Sequence, residues 1–346
     1  MNFFKFTCCI ILVSLLNCSE DPDPARFFTI AIEPKASSYQ AGDSITLSLV
    51  NKKNLEVSKV TYKLGGKSLS SDMTFIVPDL CLGDQEIKAE VISGTDTLII
   101  FKKIKILASR APEIFTYEII NEYPHDMNAY TQGLEFYGDT LYESTGRKGL
   151  SSLRKVDYKS GEVLKKIDLE PSYFGEGLTI SDNKIYQLSW QAGIGFIYEL
   201  DAFERSGSFQ YGKSKEGWGL CHDDRYIYKS DGTEKIWRLD PATLQEIDYI
   251  QTVTDRSIFN KANELEYVDG KIYANVWQKE SMMIINAKSG AIEGVVNFGG
   301  LKNKVKQHAE LDVFNGIAYH PERKTLFVTG KNWDTLFEVR IIPKKE

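Results

Sequence analysis

The chain has 346 residues, enough for two domains or for one large repeat domain with a smaller module. Hydrophobic residues make up 42% and charged residues 26%, as in an ordinary globular protein. The net charge of −6 comes with no basic stripe, which argues against nucleic acid as a partner.

At the N-terminus, Lys5 precedes an apolar run from Cys8 to Leu16. The run is too short to span a bilayer and suits the core of a signal peptide, so residues 1–18 are expected to direct export. Leu15-Leu16-Asn17-Cys18 resembles a lipobox, with Asn17 standing where Gly, Ala or Ser is usual. On that reading Cys18 carries the lipid and becomes the mature N-terminus; the plainer alternative is an ordinary cleaved secretory signal. Residues 19–26 are rich in acid and Pro and read as an extended tether. Such an acidic stretch resembles the surface-export signal of some Gram-negative lipoproteins. The expected location is the outer membrane or cell surface, held by the lipid anchor alone, and otherwise the periplasm or the medium. Cleavage would discard Cys8 and Cys9, leaving Cys81 and Cys221 in different domains, so no disulfide framework is expected.

Residues 27–108 read as short strands between turns. Alternation marks Phe28–Ile32, Ile45–Leu49, Val60–Leu64, Ile87–Val91 and Thr97–Leu107. Turns are expected at Ala41-Gly42-Asp43, Gly65-Gly66-Lys67 and Gly83-Asp84. This pattern predicts a small immunoglobulin-like β-sandwich, followed by a linker from Ala108 to Glu113.

From residue 113 onward the chain repeats. Gln132-Gly133-Leu134-Glu135-Phe136, Glu176-Gly177-Leu178-Thr179-Ile180 and Trp218-Gly219-Leu220-Cys221 are followed by Glu264-Leu265-Glu266-Tyr267 and Asn315-Gly316-Ile317-Ala318-Tyr319. With Gly133, Gly177, Gly219, Leu265 and Gly316 as markers, the intervals are 44, 42, 46 and 51 residues. Each motif leads through a tight turn into a second strand, and most units carry a third. A period of this length built from short strands predicts a five-bladed β-propeller over 113–346, so the fold class expected is all-β. Closure is expected through an exchange of strands between the ends of this region.

In a propeller the first strand of each blade lines the central channel. Gln132, Glu176, Trp218, Asn263 with Glu264, and Asn315 would then converge on one mouth, joined from second-strand ends by Trp190, Trp277 and Trp333. Two readings stay open from the residues alone. The ring is either a polar pocket with aromatic walls or a set of turn-capping side chains with tryptophans packed between blades. Glu135 and Glu266 are expected to face turns, and the four histidines to sit mostly in loops without metal-ligand spacing. Gly207–Ser214 matches a P-loop by residue type, but no helix-forming sequence follows it.

Tyr130-Thr131-Gln132-Gly133-Leu134, Glu143-Ser144-Thr145-Gly146 and Tyr173-Phe174-Gly175-Glu176-Gly177-Leu178 resemble motifs of the glutamine cyclotransferase family. So do Asn263-Glu264-Leu265-Glu266-Tyr267, Asn275-Val276-Trp277-Gln278 and Val328-Thr329-Gly330-Lys331, and the match runs in order from about Phe115 to Glu338. The resemblance implies an enzyme that converts N-terminal glutamine of peptides or proteins to pyroglutamate, releasing ammonia without a catalytic metal or other cofactor. It implies Glu176 as the acid/base and Tyr130, Gln132, Trp190, Trp218, Asn263, Trp277 and Lys331 as substrate-binding residues. Tyr130 stands where the family often has Phe. The channel carboxylates leave room for a structural calcium without requiring one. Two other classes compete: a surface-tethered propeller that binds peptides or glycans without catalysis, and a metal-dependent propeller lactonase or lyase.

Overall fold

The computed structural model describes residues 23–69, 74–80 and 82–344. The expected signal peptide, Cys18 with its lipid, and Cys81 lie outside these residues. The described chain is all-β, with 3₁₀ turns at Pro24–Phe27 and Leu301–Lys304.

Two sheets form the N-terminal part. Phe28–Glu33, Ser44–Asn51 and Thr74–Ile76 make a three-stranded sheet. The second runs in the order Tyr39–Gln40, Asp96–Leu107, Gly83–Ser93, Lys59–Leu64, Lys67–Ser68. The alternation read from the sequence becomes burial: Phe28, Ile30, Ile32, Ile45 and Leu47 meet Ile87, Ala89 and Val91 in one apolar core. Each such aliphatic side chain, once fully buried, stabilises by about 1.5–3 kcal/mol before conformational entropy is counted.

One turn is corrected. Gly83-Asp84 opens the long strand Gly83–Ser93 rather than separating two strands. Gly83 has a φ of +91°, and a Cβ there would strike the Gln251 side chain. Gln251 Oε1 accepts from Asp84 N at 3.0 Å and its Nε2 donates to Asp84 O at 3.2 Å. The glycine thus lets the N-terminal sheet dock on the repeat region, where Val253, Ile258 and Ala291 join its core.

The repeat region folds into four-stranded antiparallel units. Unit one comprises Thr131–Tyr137, Thr140–Thr145, Ser152–Asp157 and Glu162–Asp168. Unit two comprises Gly175–Ser181, Lys184–Ser189, Ile194–Glu199 and Glu204–Gln210. Leu220–His222, Ile227–Ser230, Lys235–Leu239 and Glu246–Gln251 make unit three. Unit four is Ala262–Val268, Lys271–Val276, Ser281–Asn286 and Ile292–Asn297. Unit five takes Phe314–His320, Thr325–Gly330 and Thr335–Pro343 from the C-terminal end and Glu113–Pro124 from the start of the region. That last strand also pairs in parallel with unit four, through Gly294↔Glu113 to Val296↔Phe115.

Apolar clusters join each unit to the next. Tyr142 and Leu153 of unit one pack with Ile185 and Phe196 of unit two, and Tyr186 and Leu188 with Ile227 and Trp237 of unit three. Tyr228 meets Ile272, Met282 meets Phe314, and Leu134 of unit one meets Phe327 of unit five. The packing therefore returns to its starting point. The first strands approach so closely that a Cβ on Gly133 would lie 2.6 Å from Leu178 N, and one on Gly177 2.6 Å from the Cα of Gly219. Crowding explains why glycine recurs in the repeat.

The register corrects one marker. Leu134, Leu178, Leu265 and Ile317 each resume pairing after an irregularity, so the counterpart of Gly219 is Glu264 rather than Leu265. Gly207–Ser214 spans the end of strand Glu204–Gln210 and a loop, with no helix after it.

Candidate active site

The irregularities in the first strands aim the site. Pairing shifts between Thr131 and Gly133, Gly175 and Leu178, Ala262 and Leu265, and Phe314 and Ile317. A bulge turns its extra residue out of the alternating pattern. Here it frees Gln132, Glu176, Asn263 and Asn315. Trp190, Trp277 and Lys331 follow directly after second strands that end at Ser189, Val276 and Gly330.

These elements enclose a cavity of about 230 Å³ lined by Tyr130, Gln132, Phe174, Glu176, Trp190, Trp218, Asn263, Trp277 and Lys331. All eight residues that the family resemblance implied are there. Phe174 was missed, although it stands two residues before Glu176 as Tyr130 stands two before Gln132. Aromatic rings follow one another along the wall: Tyr130 to Phe174 at 6.1 Å, Phe174 to Trp190 at 5.6 Å, and Trp218 to Trp277 at 5.7 Å.

Buried amides run in one direction beneath the cavity. Asn315 Nδ2 donates to the Thr131 carbonyl at 3.0 Å, and a carbonyl can only accept, so the orientation of Asn315 is set. The same Nδ2 donates to Gln132 Oε1 at 3.2 Å, which leaves Gln132 Nε2 to donate to Glu176 Oε1 at 2.9 Å. Asn315 Oδ1 accepts from Asn263 Nδ2 at 2.8 Å. Asn263 Oδ1 receives no hydrogen bond among the described residues and remains available as an acceptor.

Burial pushes the Glu176 carboxyl well above the usual range; Lys331 opposes that rise and Glu216 adds to it. Burial likewise lowers Lys331, against the pull of Glu176 and Asp312. The Lys331 ammonium lies 4.7 Å from the centre of the Tyr130 ring. The Tyr130 hydroxyl donates to Asp312 Oδ2 at 2.8 Å, and burial together with that carboxylate holds its phenol above the ordinary value. Burial thus works against the charged form of both groups, and each offsets part of that cost for the other.

Other expectations fare differently. Trp333 does not reach the mouth: it sits two residues beyond the position of Trp190 and Trp277, fully buried against Phe314 and Phe337. Its Nε1 donates to the Asp312 carbonyl at 3.0 Å. Glu264 lies deeper than the cavity, where its carboxyl accepts from Leu134 N at 3.3 Å and Ile317 N at 2.9 Å. It stands at the repeat position that glycine holds in the other units. Glu135 and Glu266 face this interior rather than turns, and burial raises both, Glu135 to about 8. His222 and His320 belong to strands, while His125 and His308 lie in loops. Among the described residues no three His, Cys, Asp or Glu side chains are grouped as metal ligands.

Known proteins resemble this chain in sequence and in fold. A family model described as glutamine cyclotransferase matches residues 95–341. The glutaminyl-peptide cyclotransferase of Arabidopsis thaliana is 39% identical over 241 residues, covering 68% of this chain and 73% of that protein. The crystal structure of Myxococcus xanthus glutaminyl cyclase superposes with a TM-score of 0.63 at 33% identity, covering 68% of this chain and 100% of the other. The chain belongs to the glutamine cyclotransferase family.

Proposed function

We propose that this chain is a glutaminyl-peptide cyclotransferase, converting N-terminal glutamine of peptides or proteins to pyroglutamate with release of ammonia. The observation that carries the reading is a lone buried carboxyl, Glu176, facing an aromatic-walled cavity of about 230 Å³ beside Lys331.

The α-amine of the substrate attacks its own side-chain carboxamide carbon, and a five-membered ring closes. Because the nucleophile is already in the molecule, the enzyme contributes geometry and proton handling. An α-amine has a pKa of about 8 and must shed a proton to attack. Once the ammonium has lost one proton to solvent the neutral amine attacks; Glu176 then accepts a second proton from the attacking nitrogen and delivers it to the departing one, so that ammonia leaves and the carboxylate ends as it began. Its raised proton affinity suits both halves of that transfer. Gln132 Nε2 steadies the carboxylate. Asn263 Oδ1 accepts from the substrate's amine or carboxamide, and Lys331 donates to the oxygen of the tetrahedral intermediate. Trp190, Trp218 and Trp277, with Tyr130 and Phe174, exclude water and stack on the ammonium before it deprotonates.

This chemistry needs no cofactor, and the lining offers one carboxylate and no His or Cys, a poor donor set for a metal. Capture without catalysis has no comparable observation in its favour. A binder gains nothing from burying an ionisable carboxyl, which costs desolvation.

The same reading takes the five units as blades of a five-bladed propeller over 113–346, supported by apolar clusters that lead from unit five back to unit one. The two sheets of 27–108 are taken as an immunoglobulin-like sandwich on the strength of their strand order, with 19–26 as a tether. Residues 1–18 are taken as an export signal ending in lipidated Cys18. Fatty-acid labelling that survives Cys18→Ala would rule that anchor out.

The direct test is ammonia release from a peptide beginning with Gln, compared with the same peptide blocked at its amine. Release from the free peptide only, lost in Glu176→Gln, is expected. No release from any peptide with N-terminal Gln would leave the binding alternative.

A further inference from the structure

The aromatic wall has a gap between Trp190 and Trp218, and one side chain spans it. Trp190 Nε1 and Trp218 Nε1 both donate to Glu216 Oε2, each at 2.9 Å. Gln191 Nε2 donates to Glu216 Oε1 at 3.1 Å. The two indoles come from different units: Trp190 follows the second strand of unit two, and Trp218 precedes the first strand of unit three. Glu216 stands two residues before Trp218, the offset of Tyr130 from Gln132 and of Phe174 from Glu176. At this repeat position units one and two supply a ring to the wall, and unit three supplies a carboxylate that ties two rings together.

We propose that Glu216 is a positioning residue for substrate binding, a clamp that holds the faces of Trp190 and Trp218 toward the cavity by taking both of their N–H groups away from it. This deepens the cyclotransferase reading and rests on it. Turned this way, neither indole offers a donor to the substrate, and both offer the electron-rich face that attracts an ammonium. Donation to an anion strengthens each bond relative to a neutral acceptor. The carboxyl is suited to stay ionised: burial pushes it up, but donation from Trp218, Gln191 and Trp190 holds it below the usual range. Among the described residues it forms no ion pair, so those N–H groups are what it has. Its loop is itself pinned, because the buried ammonium of Lys229 donates to the Glu216 carbonyl at 2.9 Å.

The experiment compares Glu216→Ala with Glu216→Gln in the full chain, reading steady-state kinetics on a peptide beginning with Gln and tryptophan emission without substrate. In Glu216→Ala the KM should rise about tenfold while kcat falls less than about threefold, as expected for loss of binding shared by substrate and transition state. Emission should move to the red as the freed indoles meet water. Glu216→Gln keeps an acceptor oxygen and should recover most of both effects, provided the protein melts as the parent does. An Ala variant with parental KM and emission overturns the clamp. So does a Gln variant as impaired as Ala, since the anion and not the tie would then matter. If the parent releases no ammonia at all, the functional reading fails, yet the emission of the two variants still decides whether the clamp exists.

Discussion

Glu176 at the mouth and Glu264 in the interior below it start from the same chemistry and end in different roles. Both are glutamates on first strands, both are buried, and burial raises the proton affinity of both. They differ in what faces them. Glu176 meets the amide of Gln132, the charge of Lys331 and an open cavity. Glu264 meets two backbone N–H groups and the neighbouring Glu135, and it is absent from the cavity lining. Burial alone makes a carboxyl reluctant to ionise. A nearby cation and room for a second molecule turn that reluctance into acid/base chemistry.

The contrast breaks most easily at Glu176. Replacing it with Gln should lower kcat by about a thousandfold, the middle of the range for a lost acid/base group, with ammonia release as the readout. The melting temperature should hold or rise, because a desolvated ionisable group has been removed. Lys331 comes next. Lys331→Met should cut kcat/KM by about a hundredfold if its ammonium meets the developing oxyanion. The same change moves the acid limb of the kcat/KM profile to higher pH: the cation favours the Glu176 carboxylate, so its loss raises that carboxyl further. A limb that stays in place would separate the two residues.

At Glu264 the expectation inverts. Glu264→Ala leaves the N–H groups of Leu134 and Ile317 without an acceptor, at a cost of about 1–3 kcal/mol each. The melting temperature should therefore fall by many degrees, while activity per folded molecule, measured below the melt, stays within about threefold of the parent. A stable but inactive Glu264→Ala would mean that the interior carboxyls take part in the reaction.

The reading of these two regions from sequence was unequal for a physical reason. Mouth residues sit at the residue before the recurring glycine, and a period exposes any position that recurs. Gln132, Glu176, Trp218 and Asn263 were legible in that way. Glu264 hid the period in unit four, because it replaces the glycine itself and shifted the marker to Leu265. Trp333 misled in the opposite sense: a strand end was known, but a two-residue offset decides between cavity and core. Phe174 and Glu216 were legible in principle, since they share their offset with Tyr130. Strand exchange between the ends of the repeat region was expected, but which strand closes it needed the structure: Glu113–Pro124 pairs with Thr335–Pro343, more than 200 residues away. The brief strands Tyr39–Gln40 and Lys67–Ser68 are defined by their neighbours and carry too few residues for alternation.

The smallest expected effect lies at Tyr130, where the family often has Phe. Its ring does the work assigned to the wall, standing 6.1 Å from Phe174 with the Lys331 ammonium 4.7 Å and the Arg147 guanidinium 4.5 Å from its centre. Among the described residues its hydroxyl bonds only Asp312, at 2.8 Å. Asp312 is half-buried, and its other oxygen accepts from Val313 N, so water can replace the lost donor. Tyr130→Phe should therefore lower stability by about 1 kcal/mol or less and leave kcat and KM within about twofold. Tyr130→Ala, which removes the ring, should raise KM far more. If the Phe variant lost activity while melting normally, the hydroxyl or the Asp312 carboxylate would belong to the chemistry. The wall would then no longer be only a wall, and the division between a reactive Glu176 and passive surroundings would have to include a second acid at the rim.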